Sequence, residues 1–285
     1  MSSGNPRRIL RIALSQPRKK GIIEKDAVPW RKGGLRMTIL YAFFAFLFGS
    51  LFASFAQLVA ERLPEGGSIG GKSRCPACGH ELRLLDVIPI FGFAVNRGKC
   101  HFCKTPIPRS HPLVELVGGL LFAASYLVFG GTFEFLVSAV SIVVLLSASI
   151  SDIRSKTVFD RVWIAGSIPL VILRIIDGTI LSHLFAAGLL FAVLYLFAWI
   201  GEKILKKEAL GGGDVKLFLF IGFVLTWDAG LLALFFASFL GFLYGILENR
   251  RGLELPFVPF IFAGVLFAHF AGAEIIAWYL RLLGA

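Results

Sequence analysis

Charge is what this sequence of 285 residues has least of. Asp, Glu, Lys and Arg together make up 16% of it and hydrophobic residues 56%, against about 25% charged and about 45–50% apolar in ordinary soluble chains. That excludes a water-soluble domain of this length. Cysteine is sparser still, with four residues, all between positions 75 and 103, so no disulfide framework staples the rest of the chain. No GxGxxG follows a strand, which leaves no Rossmann-type cofactor site to argue for. There is no internal repeat.

What fills the chain instead is a series of uncharged runs of near-spanning length, with a mean hydropathy of +0.79. The fold class expected is an all-α polytopic membrane protein with about eight transmembrane helices. They are placed at residues 37–60, 113–129, 133–150, 162–173 (extended at both ends), 180–200, 215–226, 229–247 and 256 to about 280. The run 215–226 would be only about 18 Å long, too short to cross a core of about 30 Å unaided.

Basic residues orient the bundle. The loop 61–112 carries Arg62, Lys72, Arg74, Arg83, Arg97, Lys99, Lys104 and Arg109. Further clusters stand at Arg154, Lys156 and Arg161, at Lys203, Lys206, Lys207 and Lys216, and at Arg250 and Arg251. With eight spans all of these fall on one side, which predicts a multi-pass membrane protein with the large loop and Asp214 facing the cytoplasm. The net charge of +11 then reflects topology and anionic lipid headgroups rather than nucleic acid.

Residues 1–36 conflict with that picture, holding ten Lys/Arg and two acids on the opposite side. They read as a poorly ordered basic extension, with Met37 opening the core protein, or as a basic tail on the outer surface. They are not a secretory signal, because the apolar run that follows is too long.

Two aspartates stand at the membrane edge, where an unused acid is costly. Asp152 in "SISDIRSK" closes the third span, and Asp214 in "ALGGGDVKL" opens the sixth, so both face the cytoplasm at similar depth. Carboxylates sharing a site cannot both ionise easily. The ionised member would activate a water and the protonated one would protonate a scissile carbonyl, the chemistry of an aspartic peptidase. Gly211, Gly212 and Gly213 allow positive φ and close approach of a substrate strand. The competing reading is that each aspartate caps a helix, which is the reading favoured for Asp160; at Asp152, after a helix, the dipole disfavours it.

Cys75 and Cys78 form one CxxC and Cys100 and Cys103 another, with 21 residues between them. That is the spacing of a structural four-thiolate zinc site built from two knuckles, which would fold a loop with little core of its own. The alternative is four reduced thiols without metal. His80 and His101 read as bystanders.

Taken together, "SFAQLVAERLP", the paired CxxC loop followed by "RSHPLVEL", "KKEALGGGDVKL" and "LPFVPFIFAG" resemble the type IV prepilin peptidases, over most of residues 37–285. The resemblance implies a GxGD membrane aspartic protease with Asp152 and Asp214 as the catalytic pair and Glu208, Gly211, Gly213 and Lys216 as supporting residues. It implies prepilin or pseudopilin substrates of pilus, type II secretion or competence systems, with a basic leader, a glycine and an apolar helix, cut after the glycine at the cytoplasmic face. It also implies N-methylation of the new terminus with S-adenosylmethionine as donor. The expected organisation is 61–112 as the methyltransferase-associated cysteine loop and 113–285 as the peptidase domain. Departures are Gln57 where the family has Asn, and Phe159 before Asp160 where it has Pro. Rival readings are a proton-coupled transporter using the two aspartates as a relay, a membrane thiol oxidoreductase, and a presenilin-like protease, which would leave the cysteine loop unexplained.

Overall fold

The computed structural model describes residues 34–64, 66–67, 70–206, 211–247 and 255–284. Most of the basic extension, and Glu208, lie outside the described residues. Among the described residues there are ten helices and no named strand. They are α1 (Gly34–Arg62), α2 (Leu84–Val87), α3 (Phe91–Val95), α4 (Ser110–Phe129), α5 (Phe133–Ser155), α6 (Asp160–Ile176), α7 (Ile180–Leu205), α8 (Gly212–Val224), α9 (Trp227–Leu247) and α10 (Val258–Leu282).

Six of these, α1, α4, α5, α7, α9 and α10, are long and apolar enough to cross a membrane by length and composition. With α6 and α8 they make up the eight helices expected, and α1 begins three residues ahead of Met37. α8 has 13 residues and so is about 20 Å long. It cannot span, and the structure puts it in the middle instead, against α5, α6, α7, α9 and α10. Leu217, Phe218, Phe220 and Ile221 are fully buried. A helix that is apolar all round is one enclosed by others.

Small residues let the backbones approach, as lipid-embedded packing requires. Where α1 crosses α4, a side chain on Gly118 would collide with Ala53 and one on Gly119 with the Ser50 hydroxyl. Where α8 crosses α7, a side chain on Gly222 would run into the backbone of Ala187.

The C-terminus of α8 ends inside the bundle, so its last carbonyls cannot reach water. Side chains from its neighbours satisfy them. His183 Nδ1 on α7 donates to Gly222 O (2.9 Å), and Arg174 on α6 donates from Nε to Phe223 O (3.0 Å) and from Nη2 to Val224 O (2.9 Å). The buried guanidinium is neutralised by Glu134 near the start of α5, 2.6 Å from Nη1. A buried Arg and its Glu partner in apolar helices are thus explained by one short helix. His269, on α10, stacks on Phe129 of α4 (centroids 4.6 Å apart).

Candidate active site

At the other end, the helices meet in a mouth formed by the ends of α1, α5 and α7 and the starts of α4, α6, α8 and α10. Asp152 lies three residues before the end of α5 and is buried. Its Oδ2 accepts the backbone N–H of Val258 (3.0 Å), the first residue of α10. Asp152 therefore does act as a cap, but of a different helix: the free amides and positive dipole end of α10 receive its carboxylate. The Pro-rich stretch around Pro256 and Pro259 is what starts that helix here, since proline suits a first turn and stops what precedes it.

Asp214 is the third residue of α8, whose N-cap is Gly211. Its carboxylate is half-buried, accepts no hydrogen bond among the described residues, and is acted on electrostatically by Asp152. It does not cap its own helix. The structure thus brings the two aspartates to one mouth, each at the positive end of a helix.

The glycines work differently from the sequence expectation. None of Gly211, Gly212 and Gly213 has positive φ; what matters is space. A Cβ on Gly213 would stand 3.0 Å from Val158 Cβ in the α5–α6 connection, and one on Gly211 would stand 3.3 Å from Asp214 Oδ2. Lys216 donates to Asp160 Oδ2 (2.8 Å), while Trp163 Nε1 donates to Asp160 Oδ1 (3.1 Å). Asp160 is therefore not the N-cap of α6: that position is Phe159, and its side chain makes no capping bond. Asp160 ties α6 to α8 across the mouth. Phe159 has φ −81°, close to what proline imposes, so the departure at this position preserves the local backbone.

A second set of contacts at the mouth was not legible in the sequence. Glu61 accepts from Arg154 Nη1 (2.5 Å) and Gln57 Nε2 (3.0 Å), and Gln57 Nε2 also meets His111 Nδ1 (2.9 Å). These join α1 and α4 to α5 two residues from Asp152. The signals were polar residues at three apolar helix ends and their place in the quoted stretches "SFAQLVAERLP", "RSHPLVEL" and "SISDIRSK", none of which says that they converge.

The four cysteines converge as their spacing predicts, with one sulfur from each within 4.8 Å of the others. Each CxxC sits in a matching hairpin. Cys75 N–H donates to His80 O (2.9 Å) and Cys100 N–H to Thr105 O (2.8 Å), with one antiparallel bridge behind each turn. The Sγ atoms of Cys75 and Cys103 are 3.8 Å apart, the edge of a tetrahedron with metal–sulfur bonds of about 2.3 Å. The donor set fits zinc, held by Cys75, Cys78, Cys100 and Cys103, with no open coordination position. His80 instead stacks on Phe102 (3.4 Å), and His101 Nε2 faces Arg83 Nη1 (3.1 Å).

A buried helical bundle with two aspartates at one mouth and a four-thiol cluster in the loop beside it defines a polytopic membrane protein of the paired-aspartate kind. Residues 139–246 match the type IV leader peptidase family and residues 47–129 the bacterial peptidase A24 N-terminal domain. A prepilin leader peptidase/N-methyltransferase of Bacillus subtilis (strain 168) is 35% identical over 83% of this chain and 97% of its own length. Proteins of the same description from Myxococcus xanthus (strain DK1622) and Burkholderia pseudomallei (strain 1026b) are 35% and 31% identical, over 73% and 75% of this chain. The chain spans 63% and 70% of their respective lengths. The chain belongs to the type IV leader peptidase family. No solved structure matches it. The transporter and thiol oxidoreductase readings find no support among these relatives.

Proposed function

We propose that this chain is a membrane aspartic endopeptidase that removes the basic leader of prepilins or pseudopilins and N-methylates the new terminus. The observation that carries the peptidase reading is the meeting of Asp152 and Asp214 at one mouth, each beside a helix N-terminus. Asp152, holding the Val258 amide, is oriented by the fold, and Asp214 is left free to act.

The ionised carboxylate takes a proton from a water whose oxygen attacks the scissile carbonyl carbon. The protonated carboxylate gives its proton to the carbonyl oxygen. Collapse of the tetrahedral intermediate breaks the C–N bond: the amine leaves with the proton of the dyad, and a hydroxyl of the gem-diol returns its proton to the other carboxylate. Both carboxyl groups are restored. The leader is cut after its glycine on the cytoplasmic face, where the basic clusters orient the mouth. There the apolar helix of the substrate, still in the bilayer, presents its start.

Zinc, bound to the four thiolates, would supply structure to the loop rather than chemistry. S-adenosylmethionine is the methyl donor in this reading. Among the described residues, the apolar pocket of about 700 Å3 between α1, α4, α5 and α6 has Ser147 and Arg161 as its polar side chains. That lining is mainly apolar, and in this reading the donor's site is built from the cysteine loop and the helix ends.

The test is cleavage of a purified prepilin by the parent protein, Asp152→Asn and Asp214→Asn, with and without S-adenosylmethionine, read by mass spectrometry. Folded and inactive variants are expected, with a methyl on the product of the parent. Cleavage by both variants would overturn the dyad.

A further inference from the structure

The loop between the two knuckles carries an apolar surface that the zinc site does not explain. Leu84, Leu85, Val87 and Ile88 in and after α2, and Phe91 and Val95 on α3, are all exposed, Leu84 to 85% of its surface. Six large apolar side chains on two adjacent short helices exceed what a water-exposed loop tolerates without a partner.

The loop is also held at an unusual level. Glu115 on α4 accepts the Ile90 N–H, between α2 and α3, on Oε2 (2.6 Å) and the Ser54 hydroxyl of α1 on Oε1 (2.8 Å). Ser54 stands seven residues before Glu61, the first charge at that end of α1, which is about 10 Å along the helix. Glu115 stands about 7.5 Å into α4. The α2–α3 turn is therefore drawn alongside the apolar part of the bundle, at the level of Ser54 and Glu115. Ile90 has φ +63°, strained for a β-branched residue, and the Glu115 bond helps to hold it there. Arg97 and Lys99, just beyond α3, are exposed.

The geometry points to α2 and α3 as an interfacial anchor that dips into the bilayer leaflet on the loop's side, with its apolar side chains among the upper acyl chains and Arg97 and Lys99 at the headgroups. The ligand is the lipid surface. The depth of the Glu115 bond matches the reach of about 5–10 Å of interfacial helices, and the flanking charge of the two helices suits anionic headgroups. The knuckles are then tethered to the membrane at their middle as well as at both ends. This inference rests on the membrane bundle and not on the peptidase assignment.

The experiment uses the full chain in nanodiscs of phosphatidylcholine and phosphatidylglycerol, with an environment-sensitive fluorescent amino acid in place of Leu84. Control chains carry it at Lys104, on the loop, or at Leu120, on α4. Lipids brominated in the upper acyl chain should quench the probe at 84 at least about two-fold more than at 104 and much as at 120, and aqueous iodide should spare it. Quenching by iodide and not by bromolipid overturns the inference. So does protection from both, which would mean that protein, such as another segment or a second copy, covers the face. The same probe in place of Val95 repeats the test if the substitution at 84 disturbs folding, as judged by helix content and peptidase activity. Prepilin cleavage read on the same samples keeps the two proposals separate, because anchoring and catalysis can fail independently.

Discussion

At the scale of the residue, the two aspartates differ in how much structure hangs on them. Asp152 holds the first amide of α10, and asparagine at this position keeps an oxygen acceptor, so Asp152→Asn is expected to stay folded while losing proton transfer. Asp214 accepts no hydrogen bond among the described residues, and Asp214→Asn should leave stability unchanged. Either substitution is expected to lower prepilin cleavage by about 10²–10⁴-fold, the range of a general acid or base, measured under single-turnover conditions. Lys216 belongs to a different category. Its pair with Asp160 is exposed, with side chains 50% and 45% accessible, so Lys216→Met should cost less than about 1 kcal/mol in denaturant unfolding.

Asp86 illustrates the same scale in the loop. It is gripped by Arg83 through Nε and Nη2 and by the Arg83 N–H, and it accepts from Asn96 Nδ2 (2.8 Å). These bonds, the Arg83 side chain first, hold its carboxyl well below the usual carboxylate range. A depressed folded pKa means a contribution fully present above the unfolded value of about 3.9 and lost only as pH falls below it. Asp86 should therefore add no pH dependence to amide exchange in α2 and α3 between about pH 8 and about pH 6, where the thiolates keep their metal, once intrinsic rates are corrected for. Asp86→Asn should raise that exchange at pH 7; no change there would mean that the carboxylate does not brace the loop.

At the scale of the element, everything about the candidate site depends on α8 being short and held at both ends. Its start is set by the tight approach of Gly213 to Val158 and by Lys216 with Asp160. Its end is capped by Arg174 and His183. Arg174→Met would leave the Phe223 and Val224 carbonyls unsatisfied, at about 1–3 kcal/mol each, and leave Glu134 without its partner. The expected outcome is a lower melting temperature and reduced cleavage, with Asp214 about 15 Å along the helix from the change. Glu134→Gln together with Arg174→Met should cost less than the sum of the single changes, because the pair is coupled. Gly222→Val should destabilise by about 1–3 kcal/mol, since its side chain would meet the backbone of α7. Glycine in an otherwise apolar helix signals that approach without naming the partner.

At the scale of the whole molecule, the bundle and the cysteine loop are two units of different physics. The bundle is held by packing of small residues, while the loop is built of two hairpins that bring four cysteine sulfurs together. Purified protein should contain one zinc per chain. Stripping it with a chelator should open residues 61–112 to protease, while the helix content read by circular dichroism falls only slightly. Protease resistance of the loop after metal removal would show that α2, α3 and Glu115 suffice to hold it.

The amino-acid sequence by itself determined the helices, the side on which the basic clusters gather, the four thiols and the two aspartates, because each rests on local chemistry: uncharged runs, charge bias, ligand spacing and an acid at a membrane edge. Even the shortness of α8 could be read from 12 apolar residues. What only the tertiary structure decided is which distant groups meet. Asp152 caps α10 over a separation of 106 residues, Arg174 finds Phe223 and Val224, Glu61 gathers α1, α4 and α5, and Glu115 draws Ile90 down the side of the bundle. A buried polar group must be paired, but its sequence neighbourhood says only that a partner is needed. The packing of the helices chooses which one it is.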